Sequence, residues 1–155
     1  MSLAIDMTKQ YEIAPATGYA GDVTPKTAWQ MLKEIPDAVL IDVRTTAEWA
    51  YVGGPDVHSI GKTTVMIEWQ IFPAMQIDPD FATRLKERIG PVHDAPLLML
   101  CRSGARSAAA ARAMTAAGYG RCFNVANGFE GVLDAAGHRG GTSGWKADGL
   151  PWSQK

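Results

Sequence analysis

The chain has 155 residues, of which 46% are apolar and 20% charged, with a formal net charge of −1. That balance suits one globular domain with a single core and gives no basis for a nucleic-acid partner or an anionic membrane surface. No apolar run reaches the length of a membrane span, and the opening "MSLAIDMTKQYEIAPATGYAG" lacks a continuous apolar signal segment, so the expected location is cytoplasmic.

Residues 1–21 mix polar residues with Gly and Pro and read as an arm or cap on the domain. In "VTPKTAWQMLKEIPDA", Thr24 is an N-cap with Pro25 at the first helical position, where the missing N–H is harmless. Ala28, Met31, Leu32 and Ile35 recur at helical spacing until Pro36 stops the pattern. "AVLIDVR" reads as a buried strand ending at Asp42 and Arg44, and "TTAEWAYVGGPD" as a short helical turn broken at Gly53, Gly54 and Pro55. Residues 56–77 have no clear period; a short strand and a loop are equally compatible with them. Trp69 and Phe72 there read as core or pocket wall.

"DPDFATRLKERIGP" predicts a helix with Asp78 or Asp80 near its start and Gly90 at its end. "APLLMLC" is a second buried strand, "SAAAARAMTAAGYG" a helix stopped by Gly118, and "RCFNVANG" a third strand closed by an Asn-Gly turn. Strands alternating with helices imply an α/β fold with a parallel sheet covered on both faces. Ligands in such sheets sit beyond the carboxyl ends of the strands, where Cys101, Asp42 and Arg44 fall.

Cys101 and Cys122 lack the paired spacing of a zinc site, and no metal is expected. A disulfide between them is compatible with the sequence. Cys122, inside the run "RCFNV", reads as a core residue. Cys101 differs, because Arg102, Ser103, Gly104, Ala105, Arg106 and Ser107 follow it directly. A thiol is a nucleophile as thiolate, and free cysteine has a pKa of about 8.5. A helix N-terminus, a glycine-containing turn with inward N–H groups, and two guanidiniums would each stabilise the anion. Ser107 is a further hydroxyl donor and an N-cap candidate, and the alanines after it would let the helix lie close to the sheet. Which of Arg102 and Arg106 points inward is open.

"CRSGARS" between a buried strand and a helix resembles the active-site loop of the single-domain rhodanese, or thiosulfate sulfurtransferase, family. "LIDVRTTAEW" resembles that family's signature of a strand ending Asp-x-Arg followed by a Glu-aromatic pair, and "GWKADGLPW" its C-terminal Trp-Gly-Pro signature. The resemblance spans residues 22–152, leaving 153–155 as a tail. It implies a five-stranded parallel sheet with helices on both faces. It also implies transfer of sulfane sulfur from a small donor to a thiol, cyanide or protein acceptor through a persulfide on Cys101. Residues 102–107 would bind substrate, Asp42 and Arg44 would support the loop from behind, and no cofactor is needed.

Two departures from the family pattern stand out. "GGPDVHSIGKTTV" replaces a Gly-His-Ile-Pro-Gly-Ala-like segment, displacing His58, and "EGVLDAAGHRGGTSG" is inserted before Trp145. His138 and Arg139 lie in that insertion, and His138 reads as an exposed loop residue. Two other functions are compatible with the loop. A phosphatase or arsenate reductase would place five residues between its cysteine and arginine, whereas four separate Cys101 from Arg106. A non-catalytic rhodanese-like module would use the same fold for binding or regulation. Donor, acceptor and oligomeric state are not legible.

Overall fold

The computed structural model describes residues 10–71, 73–90 and 94–154. Five parallel strands form the central sheet: β1 (Gly21–Val23), β2 (Val39–Asp42), β4 (Val65–Met66), β7 (Leu97–Leu100) and β8 (Cys122–Val125), in the order β1-β8-β7-β2-β4. The pairings Ile41↔Met99 and Met99↔Asn124 carry the register across its centre. The helices are α1 (Pro25–Glu34), α2 (Thr46–Tyr51), α3 (Phe81–Ile89) and α4 (Ala105–Ala116). No helix among the described residues is long and apolar enough to cross a membrane. Phe72 lies outside the described residues.

Alternation along β7 sorts the core into two layers. Leu98 and Leu100 face one layer with Met31 and Leu32 of α1, Phe123, Phe129 and Trp145. Leu97 and Met99 face the other with Phe81 and Leu85 of α3 and Ala110, Ala111 and Met114 of α4. Helices therefore cover both faces. The small side chains of α4 let its axis approach β7 and β8 closely, which steadies the loop that feeds it.

Helix α1 begins as its sequence dictates: the Thr24 side chain accepts from Thr27 N at 3.1 Å, and Pro25 occupies the first turn. At the start of α4 the Ser107 expectation is corrected. The cap is Gly104 (φ 114°), and Ser107 lies one turn inside the helix with its hydroxyl turned to other partners. Glycine takes this left-handed conformation without steric cost, so the helix starts after Gly104 and Ser107 falls within its first turn.

Two small ribbons lay beyond sequence reading. β3 (Gly54–Pro55) pairs antiparallel with β9 (Trp152–Ser153), and β5 (Gln70–Ile71) with β6 (Gln76–Ile77). Ahead of the sheet, Tyr11 is buried and Ala14 bridges to Asp22. Lys62 fastens the segment after β3 to the end of α1, its Nζ donating to the carbonyls of Ile35, Pro36 and Ala38 at 3.0, 2.9 and 2.7 Å.

Candidate active site

Cys101 follows β7 directly, at the carboxyl end of the strand flanked by β2 and β8. It is 1% exposed, a free thiol like Cys122. Its Sγ lies 3.1 Å from the Gly104 N–H and 3.1 Å from Ser107 Oγ. The loop curls because Gly104 takes a positive φ, which sends that N–H back toward the sulfur. The N-terminus of α4 adds its dipole at the same point.

A cavity of about 300 Å³ opens over the thiol, lined by Cys101, Arg102, Ser103, Ala105 and Arg106 of the loop, Glu48 of α2, and Gln70 and Met75 of the β5–β6 hairpin. The two arginines differ in setting. Arg102 is exposed. Arg106 is half-buried and grips Glu48 with both guanidinium nitrogens, at 2.6 and 2.9 Å. For Glu48, burial would raise the carboxyl, but the Arg106 hydrogen bond and charge, with donors from Thr45, outweigh it and hold it below its usual value. Reciprocally, the Glu48 hydrogen bond holds the Arg106 guanidinium above its own, against burial.

Asp42 and Arg44 do not line this cavity. Both are buried, with Arg44 Nη2 2.7 Å from Asp42 Oδ2 and also 2.7 Å from the Gly53 carbonyl. The Arg44 guanidinium carbon lies 4.5 Å from the centroid of the Phe129 ring, a cation–π contact, while Nη1 has no hydrogen-bond partner among the described residues. One arginine thus joins the end of β2, the turn before β3 and the segment after β8.

That last segment supports the loop directly. Phe129 N donates to Cys101 O at 2.8 Å, and Glu130 N to Arg102 O at 2.9 Å. Gly128 (φ 60°) passes so close that a Cβ there would overlap Cys101 O and lie 2.7 Å from the Arg102 carbonyl carbon. The inserted segment is therefore rooted on the loop's backbone. His138 and His58 are exposed. Trp69 packs edge-to-face on Phe81, as core. Cys122 is buried among α4 and β8 residues, and burial pushes its thiol up to about 11 against a small opposing effect of Thr115.

Glu48, Asn124 and Asp22 were missed as site residues. Glu48 left a signal: Thr45-x-x-Glu48 spells a capping box, which is present. Its second role, pairing with a residue distant in sequence, left none.

A thiol at a strand end, a curled N–H loop and a parallel five-stranded sheet define a rhodanese-like protein, and comparison with known proteins agrees. The family model described as the STR4 middle domain matches residues 20–155, and the chain belongs to that family. An uncharacterized protein of Rickettsia conorii is 36% identical over 125 residues, 81% of this chain and 90% of the relative. A sulfurtransferase of Allochromatium vinosum is 27% identical over 130 residues, 84% of this chain and 92% of the relative. A rice protein named thylakoid rhodanese-like is 24% identical over 152 residues, 98% of this chain and 29% of the relative. The crystal structure of Rv0390 from M. tuberculosis superposes with a TM-score of 0.81 at 49% identity, covering 88% of this chain and 99% of that one.

Proposed function

We propose that this protein is a sulfurtransferase that carries sulfane sulfur on Cys101 from a small anionic donor such as thiosulfate to a thiol, cyanide or protein acceptor. The observation that carries the reading is the setting of Cys101 Sγ: it sits at the floor of a 300 Å³ cavity with the Gly104 N–H aimed at it and Arg102 and Arg106 on the wall. In the first half-reaction the thiolate attacks the outer sulfur of thiosulfate. A new S–S bond forms on Cys101, the donor S–S bond breaks, and its electron pair leaves with sulfite. In the second, the acceptor thiolate or cyanide attacks the outer sulfur of the persulfide and the Cys101 thiolate is regenerated.

The loop's job is electrostatic. Preorganised N–H donors hold the anion on the inner sulfur, and in the persulfide state on the outer one. Arg102, exposed and beside the cavity, is placed to draw in the sulfonate end of the donor; Arg106 has its charge matched by Glu48. Asp42 and Arg44 hold the strand ends without touching substrate. No cofactor beyond the covalent sulfur is needed, and the proposed setting is cytoplasmic. The match to a sulfurtransferase across 84% of this chain supports the reading.

The test is intact mass after incubation with thiosulfate. The expected result is gain of one sulfur atom, lost on cyanide treatment and absent in Cys101→Ser. No adduct from any of several sulfane donors would overturn the reading in favour of a non-catalytic module. Hydrolysis of an aryl phosphate without sulfur loading would favour a phosphatase.

A further inference from the structure

A second cavity, of about 480 Å³, lies apart from the one over Cys101, and their linings have no residue in common. The two meet different faces of α2: Glu48 lines the first, and Trp49, next in the chain, lines the second. Much of the second wall comes from "GGPDVHSIGKTTV", the segment that departs from the family pattern and that sulfur transfer leaves unexplained. The volume falls within the range of small-molecule sites, roughly 300–1,000 Å³.

The wall is fixed before any ligand arrives. β3 is paired with β9, which brings Ser153 into the lining. Lys62 is tied by its three carbonyls to the end of α1. Thr64 Oγ1 donates to the Pro55 carbonyl at 3.4 Å, and Asp56 Oδ1 accepts from His58 N at 3.0 Å.

The lining also limits what can fill it. Trp49, Pro55, Val57 and Met66 make it largely apolar. Its charges are already answered: Asp42 is paired with Arg44, the Lys62 ammonium is held by carbonyls, and Asp56 and Lys62 bear opposite signs. A charged ligand would leave water and find no unmatched counter-charge, which is unfavourable. One donor stands out. Trp49 Nε1 is buried and has no hydrogen-bond partner among the described residues. An indole N–H can only donate, and a buried donor left unmet is costly.

We propose that this cavity binds a small, uncharged, mostly apolar molecule that carries a carbonyl acceptor for Trp49 Nε1. Its apolar body packs on Pro55, Val57 and Met66. The occupant touches α2, the helix whose Glu48 grips Arg106.

Binding is read without any sulfur transfer, so the test is independent of the proposed reaction. The probe is coumarin, an uncharged bicycle with one carbonyl. Chromene is the same bicycle without the carbonyl, and a coumarin carboxylate adds a charge. The five tryptophan indole N–H signals of the intact protein are followed by NMR as each probe is added. Coumarin is expected to move the Trp49 signal while that of Trp69, in the core, holds still. Chromene and the carboxylate should each bind about fivefold more weakly or worse. Trp49→Phe keeps an aromatic ring but loses the donor, and should bring coumarin down to the affinity of chromene, measured by saturation transfer to the probe. Ala50→Phe, at an exposed position in the lining, fills the cavity and should abolish coumarin binding. Should Trp49→Phe fail to fold, Ala50→Phe and the probe comparison decide the matter. A Trp49 signal that stays put up to the solubility limit of coumarin overturns the proposal. So does chromene or the carboxylate binding as well as coumarin, or coumarin binding that survives Ala50→Phe.

Discussion

Glu48 and Arg106 stand 58 residues apart in sequence and meet through two hydrogen bonds of 2.6 and 2.9 Å at the wall of the cavity over Cys101. The contact locks the short helix α2 to the first turn of α4. Helix α2 buries none of its own residues, so this pair and the capping box are much of what places it.

Glu48→Gln should therefore loosen α2 as well as remove a charge. A partly exposed pair of this kind is worth about 1 kcal/mol, which is a fall of ~2–4 °C in Tm for a chain of this length. The pH dependence has a definite sign. The Glu48 carboxyl is held below its usual value, so its contribution is complete above the unfolded carboxyl's pKa and is lost as pH falls through the folded one. Thermal melts at several pH values check this: the gap between wild type and Glu48→Gln should be constant near neutrality and close in acid.

Cysteine labelling distinguishes the two thiols. Burial pushes Cys122 up to about 11, and its S–H donates to the Tyr119 carbonyl at 3.3 Å. At pH 8 a small alkylating reagent should modify Cys101 alone in the folded protein and both cysteines in urea. Native-state labelling of Cys122, mapped by peptide mass, would contradict the packing described.

The pair formed by Arg44 and Asp42 is fully buried, so removing one partner strands the other. Arg44→Met should cost about 3–5 kcal/mol in urea unfolding. Adding Asp42→Asn should recover part of that loss, because the abandoned carboxylate is then gone. Equal stability of the single and double variants would show that packing on Phe129, rather than charge, is what Arg44 supplies.

Two glycines with positive φ separate strain from overlap. At Gly137 (φ 81°) a Cβ meets nothing within 4 Å, whereas at Gly128 (φ 60°) it overlaps the loop carbonyls. Gly137→Ala should cost ~1–2 kcal/mol from backbone strain alone. Gly128→Ala should cost more and, unlike Gly137→Ala, should displace the Cys101 loop, seen as reduced sulfur loading in the protein that remains folded.

The parts of this fold legible in the sequence are those governed by local rules. The buried runs Val39–Asp42, Leu97–Leu100 and Cys122–Val125 and the helix bracketed by Thr24 and Pro36 are set by hydrophobic period and caps. The three-residue strand β1 and the ribbons β3–β9 and β5–β6 are too short to show a period, and their pairing comes from distant chain. The loop Cys101–Ser107 could be read as a unit, but its surroundings could not. Ser107 was misplaced as a cap because one glycine conformation decides where α4 begins. Asn124 offered a usable clue, a polar residue inside an apolar strand, whose meaning depended on Ser107 and Asp22 being beside it.

The anchoring of residues 129–131 to the carbonyls of Cys101 and Arg102 has a consequence for how this chain can vary. Past that root, Val132 and Leu133 are exposed, and Gly137 and His138 belong to a surface turn. Arg139 and Gly140 return to that root, donating to the carbonyls of Gly131 and Glu130 at 2.7 Å each, so additions and deletions between 133 and 138 would alter an overhang, while a change of one residue between 128 and 131 would shift the platform beneath Cys101. The outer turn is thus free to change in length and chemistry at its rim without moving the backbone that holds Cys101.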